Sequence, residues 1–291
     1  GPQSVLTDVA LTIDASTRAG LVGANGSGKT SLLRVLSGSE EGDSGTVVRA
    51  KGTTVEYLPQ RSVVPEGETV YSFAERGYAA EHALHGERRH NAQILRDTPS
   101  DESALARVAE IDHILEQREY YTRETVVARV LAGLGFSPTD FERPLSEFSG
   151  GWRMRVALAK SLLARPDILL LDEPTNYLDA EARLWLSVFL RTFQGGVLLV
   201  SHDRAFLDDT VDTIYELFSG RLKRYRGTFT EYETLRRAEL ERLVAAWEQQ
   251  QEEIRRQEDF IRRFRAKASK AKQVQSRVKA LEKIDPIEIP E

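Results

Sequence analysis

The chain has 291 residues, enough for one large domain or two smaller ones, and its hydrophobic content of 41% is ordinary for a globular protein. It contains no cysteine, which excludes a disulfide framework and a cysteine-based zinc site. No apolar run of about 18 residues and no signal peptide are present, so we predict neither a transmembrane helix nor secretion and expect the chain in the cytoplasm.

The net charge of −5 hides a strong asymmetry. Between residues 255 and 283, eleven lysines and arginines stand against three acidic residues, so the rest of the chain is acidic. An acidic body that carries one basic segment predicts a polyanionic partner for that segment.

Residues 5–60 are predicted to form short strands around a phosphate-binding loop, with strands at 9–14 and 53–58. Residues 23–30, Gly-Ala-Asn-Gly-Ser-Gly-Lys-Thr, fit G-x-x-x-x-G-K-[ST] at every position. A strand end precedes them and a helical pattern follows, as this motif requires. In such a loop, backbone N–H groups surround the phosphates, the lysine reaches the β- and γ-phosphates and the final hydroxyl ligates Mg²⁺. The predicted nucleotide contacts are Gly23, Asn25, Gly26, Ser27, Gly28, Lys29, Thr30 and Ser31.

Residues 70–135 have a mainly helical pattern, and within them the polar stretch 77–118 predicts an inserted helical hairpin. Four of the five histidines lie there, and His82 and His85 are one helical turn apart. No carboxylate or cysteine partner is evident near them in the sequence. We therefore favour solvated helix faces over a metal site.

A helix at 151–164 and strands at 168–172 and 197–201 alternate, which predicts a parallel α/β sheet. Asp172 ends an apolar strand, where it can hold Mg²⁺ through coordinated waters. Glu173 follows at once and is placed to deprotonate the attacking water. Gln60 and His202 also follow strands, so we predict that Gln60 reaches the metal or the water and that His202 hydrogen-bonds the γ-phosphate.

One long helix is predicted from residue 231 to about 264, with a heptad seam that would reach roughly 50 Å. A second seam at 271–281 predicts an antiparallel partner helix. The bend between the two helices has small and basic residues, which predicts contact with a nucleic-acid phosphate backbone. The alternative is a solvated coiled coil without a ligand. The residues predicted to contact the phosphate backbone are Arg262, Arg263, Arg265, Lys267, Lys270 and Lys272.

Four segments together resemble the ABC-F family of ATPases, and the resemblance covers nearly the whole chain. Residues 145–155 resemble the family's signature, with Trp152 where transporter ATPases carry Gln. Residues 171–179 and 201–208 match two further motifs, and residues 260–277 are similar to the linker between the family's two ATPase domains.

The resemblance implies an ATP- and Mg²⁺-dependent ATPase with a P-loop core, a helical subdomain, an inserted arm and a helical-hairpin linker. It implies nucleotide contacts from the signature at Ser149, Gly150 and Gly151, and from Asp179. The implied domain boundaries are 1–76 and 119–228 for the two parts of the core, 77–118 for the arm, 229–285 for the linker and 286–291 for the start of a second ABC domain.

The implied partners are that second domain and the ribosome, bound through its rRNA and tRNA by the linker and the arm near the tRNA exit site. The linker would point at peptidyl-site tRNA and the peptidyl-transferase centre. A translation factor and an antibiotic-resistance factor that protects the ribosome both fit this description. Because the basic segment also suits DNA, a DNA-associated ATPase stays open, as does an ATPase subunit of a membrane transporter.

The sequence departs from the family at two places. Tyr177 stands where His is common, and no aromatic residue precedes Tyr57, although ABC ATPases usually stack adenine on an aromatic residue upstream of the loop. Gly1-Pro2 is typical of a cleaved tag. We therefore expect the chain to be a piece of a longer protein, and we expect its first strand and adenine-stacking residue either to precede Gly1 or to be missing.

Overall fold

The computed structural model describes residues 6–61, 64–65, 67–264 and 270–281. They divide into two compact units, residues 1–229 and 230–291. The strands are β1 (Arg18–Val22), β2 (Val55–Leu58), β3 (Ile168–Asp172), β4 (Gly196–Val200), β5 (Thr213–Phe218) and β6 (Arg221–Arg226). The helices are α1 (Lys29–Ser37), α2 (Val70–Glu75), α3 (Ala79–Asp97), α4 (Glu102–Gln117), α5 (Arg123–Gly133), α6 (Gly150–Leu163), α7 (Ala180–Arg191), α8 (Arg204–Thr210), α9 (Phe229–Phe264) and α10 (Ala271–Leu281).

A six-stranded sheet forms the centre of the first unit, in the order β2-β3-β4-β1-β5-β6. The first five strands are parallel, and β6 returns antiparallel to β5 at the edge. Strands β3 and β4 are runs of leucine and valine whose central residues are fully buried. Burial on both faces is what parallel strands need. The predicted α/β fold is confirmed.

The segment 9–14 differs from its prediction, because it forms no strand. Its alternation does correspond to burial, since Val9, Leu11 and Ile13 pack against the core of the sheet. Side chains can alternate between buried and exposed wherever an extended segment lies over an apolar surface, whether or not the segment forms a strand. A strand also needs a ladder of backbone hydrogen bonds, which the described residues do not supply here.

Helices α3 and α4 lie in the stretch where the sequence predicts an inserted arm, and they pack against each other. Ion pairs join them, with Arg88 bonded to Asp112 and Arg107 2.7 Å from Glu87. His82 lies near the arm's base, where Tyr120 bonds its Nδ1 at 2.9 Å and Glu75 lies 3.8 Å from its Nε2. The expectation that His82 lacks a carboxylate neighbour is wrong, because folding brings α2 alongside. No metal-binding group of three or more His, Cys, Asp or Glu occurs among the described residues.

The second unit contains α10 and all but the first residue of α9. Arg277 on α10 donates to Gln257 on α9 at 2.6 Å, and its guanidinium lies 4.0 Å from the centre of the Phe260 ring. These contacts place the middle of α10 beside residues 257–260, the pairing expected of an antiparallel hairpin. No helix among the described residues is long and apolar enough to cross a membrane.

A close approach between α5 and α7 depends on the absence of a side chain at Gly133. A Cβ atom there would lie 2.1 Å from Cε2 of Trp185 on α7, well inside van der Waals contact. Trp185 is held in turn by Phe189, with ring centres 5.1 Å apart. Helix α5 can therefore pack on α7 only through a glycine at this position.

We predict that Gly133→Ala lowers the free energy of unfolding by about 1–3 kcal/mol, because the added methyl group forces the two helices apart. Gly86, in the middle of α3, is the matched control, since a Cβ there would meet no atom within 4 Å. Gly86→Ala should stabilise by about 0.5–1 kcal/mol, because alanine favours a helix over glycine. Denaturant unfolding of the two variants measures both effects, and equal shifts of the same sign would contradict the packing argument.

Candidate functional site

The carboxyl ends of β1, β3 and β4 meet at one edge of the sheet because the three strands are parallel neighbours. Register fixes this alignment, with Asp172 opposite Val200 and Gly20 opposite Leu199. The segments that follow these strands are the phosphate-binding loop, Glu173, and residues 201–202. The fold thus brings most of the predicted site residues to one place.

The phosphate-binding loop is a tight turn between β1 and α1. A side chain at Gly23 would place its Cβ 2.4 Å from the carbonyl oxygen of Leu217, so only glycine fits. Gly28 precedes the helix with a φ of 103°, in the left-handed region. Within this turn the Ser27 hydroxyl is buried and has no hydrogen-bond partner among the residues that the structure describes. An unpaired buried hydroxyl in a phosphate-binding motif is suited to a ligand oxygen.

Lys29 is turned back onto its own loop and does not extend outward. Its ammonium group donates to the carbonyl oxygens of Gly23 at 2.8 Å and Ala24 at 3.0 Å. Burial lowers the pKa of Lys29, and the carboxylates of Glu173 and Asp172 partly offset that effect. The ammonium group therefore lies at the loop, with hydrogen bonds that phosphate oxygens can replace.

Thr30 and Asp172 form the contact between the loop helix and β3. The Thr30 hydroxyl donates to Oδ2 of Asp172 at 2.8 Å, and Asp172 is only 4% exposed. Mg²⁺ prefers oxygen ligands and takes one or two protein carboxylates together with phosphate oxygens. This pair of oxygen groups beside a phosphate loop fits that pattern.

Glu173 is buried and its backbone is strained. Its φ of 55° is unusual for a residue with a side chain. Oε2 accepts a hydrogen bond from the backbone N–H of His202 at 3.4 Å, and Oε1 lies 3.3 Å from Nε2 of the same residue. The second contact is close enough for an ion pair but is not aligned as a hydrogen bond. Oε1 is therefore buried with no hydrogen bond from the described part of the chain. Burial raises the pKa of Glu173, although the charge of His202 opposes the shift.

His202 and Gln60 are more open than Glu173. The side chain of His202 is 67% exposed and reaches Glu173 from the end of β4. Gln60 lies two residues beyond β2, next to the end of β3, and is exposed. It makes no hydrogen bond within the described part of the chain, so its predicted contact with metal or water stays a prediction.

The signature residues begin α6. Ser149 is the N-cap residue with extended backbone, Gly150 is the first helical residue, and both are exposed. The first N–H groups of a helix lack intrahelical partners and suit an anion. Among the described residues no hydrogen bond joins 149–151 to the phosphate loop of the same chain.

Asp179 has partners within the chain, although the family resemblance implies a nucleotide contact. Its Oδ1 accepts from the backbone N–H of Ala182 at 2.9 Å, which caps α7. Its Oδ2 accepts from Arg155 at 2.9 Å. The cap and the guanidinium together hold the pKa of Asp179 below its ordinary value.

Arg155 is a residue that the sequence analysis missed. It is 9% exposed and also donates to the carbonyl oxygens of Tyr177 at 2.7 Å and Leu134 at 3.0 Å. Its guanidinium lies 4.3 Å from the Trp152 ring centre, and Trp152 packs against Phe136 with ring centres 4.9 Å apart. Arg155 thus connects the signature helix to the segment after Glu173. The sequence signal that could have identified Arg155 is the presence of an arginine within the apolar run of α6, which indicates a buried charge with partners.

The predicted RNA-binding residues lie in the second unit. Arg262, Arg263 and Lys272 are exposed, and Lys270 is partly exposed. Arg262 pairs with Asp259 at 2.7 Å, and Lys270 donates to Gln273 at 3.0 Å. Arg265 and Lys267 lie outside the described residues, as do the predicted domain start at 286–291 and the chain's first residues.

Comparison with known proteins gives the family. A family model described as ABC transporter matches residues 6–176, and a second with the same description matches residues 215–291. Probable ATP-binding protein YheS of Escherichia coli (strain K12) is 38% identical, covering 99% of this chain and 44% of that protein. ATP-binding cassette sub-family F member 3 of Homo sapiens is 40% identical, covering 98% of this chain and 39% of that protein.

A solved structure of an archaeal ribosome recycling factor, in complex with the ribosomal stalk protein aP1, matches with a TM-score of 0.50 and 27% identity. The match covers 72% of this chain and 34% of that one. The chain spans less than half the length of the two relatives above. From the phosphate loop, the buried acidic pair after β3 and the family match over residues 6–176, the chain belongs to the ABC family of ATPases, as a domain of the ABC-F type.

Proposed function

We propose that this chain is the ATP-hydrolysing part of a cytoplasmic ABC-F protein that binds the ribosome near the tRNA exit site and acts on peptidyl-site tRNA or the peptidyl-transferase centre. A second ABC domain completes its ATP site. The protein is a translation factor or a factor that protects the ribosome from an antibiotic, and both roles use the same contacts.

The observation that carries the ribosome proposal is the basic cluster at the facing ends of α9 and α10. Arg262, Arg263, Lys270 and Lys272 lie within one or two residues of the point where these helices end and begin. Like charges at such spacing repel, so the cluster lowers the stability of the free chain. A phosphate backbone would neutralise it and release condensed counterions. The structural relative named as a ribosome recycling factor supports the choice of the ribosome over DNA.

For the ATP site, we infer that Thr30 and Asp172 hold the Mg²⁺ that accompanies the nucleotide, where it would offset the charge on the phosphates. Glu173 acts as the base for the attacking water. Its buried carboxylate has a raised pKa, which brings it closer to the neutral range in which a general base is effective. His202 lies beside it, where it can orient both the carboxylate and a phosphate oxygen.

Glu173→Gln tests this role through two opposite effects. Hydrolysis in the paired state should fall by roughly 10²-fold or more, because the base is lost, while ATP binding persists. The melting temperature at neutral pH should rise, because the variant buries no charge. A carboxyl group whose pKa is raised by folding contributes stability that is present at low pH and lost as the pH rises through that pKa. The difference in melting temperature between the Glu173→Gln variant and the parent should therefore shrink below about pH 4.3, the ordinary pKa of a glutamate side chain.

Glu216→Gln is the matched control. Glu216 is also buried, but its carboxylate accepts a hydrogen bond from Tyr225 at 3.2 Å. This change should neither stabilise the protein at neutral pH nor reduce hydrolysis per bound nucleotide. If Glu173→Gln hydrolysed ATP at the parent rate, Glu173 would not be the base.

Charge removal at the basic cluster tests the ribosome proposal. We expect replacement of Arg262, Arg263, Lys270 and Lys272 by glutamine to weaken pelleting with ribosomes. The slope of log affinity against log salt should fall by roughly 0.7–0.9 for each phosphate that the variant no longer neutralises. Nucleotide binding should be unchanged, because the variant leaves the phosphate loop intact.

The control replaces an equal number of exposed arginines elsewhere, namely Arg221, Arg224, Arg237 and Arg242. This control changes the net charge by the same amount. A difference in ribosome binding between the two variants would therefore show that the position of the basic cluster matters, and not the total charge alone. Equal affinities and equal salt slopes for both would contradict the proposal. Retention on duplex DNA stronger than on ribosomes at the same salt would favour the DNA-associated alternative.

A further inference from the structure

A tyrosine outside the nucleotide-binding motifs contacts the acidic residue at the end of β3. The Tyr57 hydroxyl lies 3.5 Å from Oδ2 of Asp172, the same oxygen to which Thr30 donates. Strand register explains the contact. Tyr57 on β2 pairs with Leu170, and Asp172 lies two residues further along β3 on the same face of the sheet.

The chemistry of these groups fixes the direction of each hydrogen bond. An ionised carboxylate can only accept, so the Tyr57 phenol donates its one hydrogen to Asp172. Thr30 donates its hydrogen to the same carboxylate oxygen and keeps lone pairs for a cation. Both donors act on Oδ2, which orients the carboxylate and leaves Oδ1 for a ligand.

We propose that Tyr57 is a positioning residue that orients the Asp172 carboxylate and so raises the affinity of the nucleotide complex for its divalent cation. The proposal rests on the Mg²⁺ role inferred above for Thr30 and Asp172, and it does not depend on ribosome binding. Hydrogen-bonded partners of metal ligands commonly set metal affinity in this way.

Tyr57→Phe removes only the hydroxyl and keeps the ring. The test measures binding of a fluorescent ADP analogue to the whole chain, once with a chelator and once with saturating Mg²⁺. We expect the gain in affinity that Mg²⁺ provides to fall roughly tenfold. The affinity of Tyr57→Phe for the ADP analogue in the presence of the chelator should equal that of the parent, and so should its melting temperature. A Mn²⁺ titration of the ADP complex by electron paramagnetic resonance measures the same loss directly.

Tyr215→Phe is the matched control. It removes the same group from β5 of the same sheet, where the hydroxyl lies 3.5 Å from the carbonyl oxygen of Thr12. This variant should leave the Mg²⁺-dependent gain unchanged. The contact distance and the chemical change are the same, so only the partner differs.

Three results would overturn the proposal. The first is a Tyr57→Phe variant with the parent's Mg²⁺-dependent gain, and the second is an equal loss of affinity with and without metal, which would show a structural role alone. The third is a parent whose nucleotide affinity ignores Mg²⁺, which would also refute the inferred metal role. The first two leave the Mg²⁺ role of Thr30 and Asp172 intact.

Discussion

The site depends on the parallel alignment of three buried strands. The residues at the centres of β3 and β4 have no exposed surface, and β1 is paired with β4 on one side and β5 on the other. A shift of any of these strands by one residue would move every side chain to the opposite face of the sheet and disrupt the packing on both faces, so the packed core fixes register. Register in turn sets where the phosphate loop, Glu173 and His202 emerge. The core therefore determines the geometry of the site before any ligand binds.

Three charged side chains gather at this edge with little access to water. Lys29, Asp172 and Glu173 are 9%, 4% and 7% exposed. Burial of charge is unfavourable unless hydrogen bonds or opposite charges compensate it. The ammonium of Lys29 and the carboxylate of Asp172 have hydrogen-bond partners. Within the described part of the chain, Oε1 of Glu173 has no hydrogen-bond partner, although Nε2 of His202 lies 3.3 Å away. In the proposed mechanism, this buried carboxylate is the group that takes a proton from the attacking water.

The main elements could be predicted from the sequence because local patterns encode them. The run Ile-Leu-Leu-Leu-Asp predicts β3 with its correct bounds, and the heptad seam predicts α9 to within two residues. Side-chain partners could not be predicted in this way. The bonds from Arg155 to Leu134 and Tyr177 arise from tertiary packing. The internal bonds of Lys29, the capping role of Asp179 and the proximity of Glu75 to His82 are local in sequence, but they depend on side-chain conformations that no motif specifies. Motifs specify residue types and spacing, but they do not specify which atoms a side chain contacts in the absence of its ligand.

The central claim is that one chain holds the nucleotide but does not by itself complete the hydrolytic site, because its signature residues 149–151 do not bond to its own phosphate loop. The most direct measurement is ATP turnover per chain across a concentration series, with the association state recorded at each concentration and ATP binding measured in parallel. The account predicts that the monomer binds ATP with negligible turnover and that turnover per chain rises as chains pair. Full, concentration-independent turnover by a strictly monomeric preparation would contradict it.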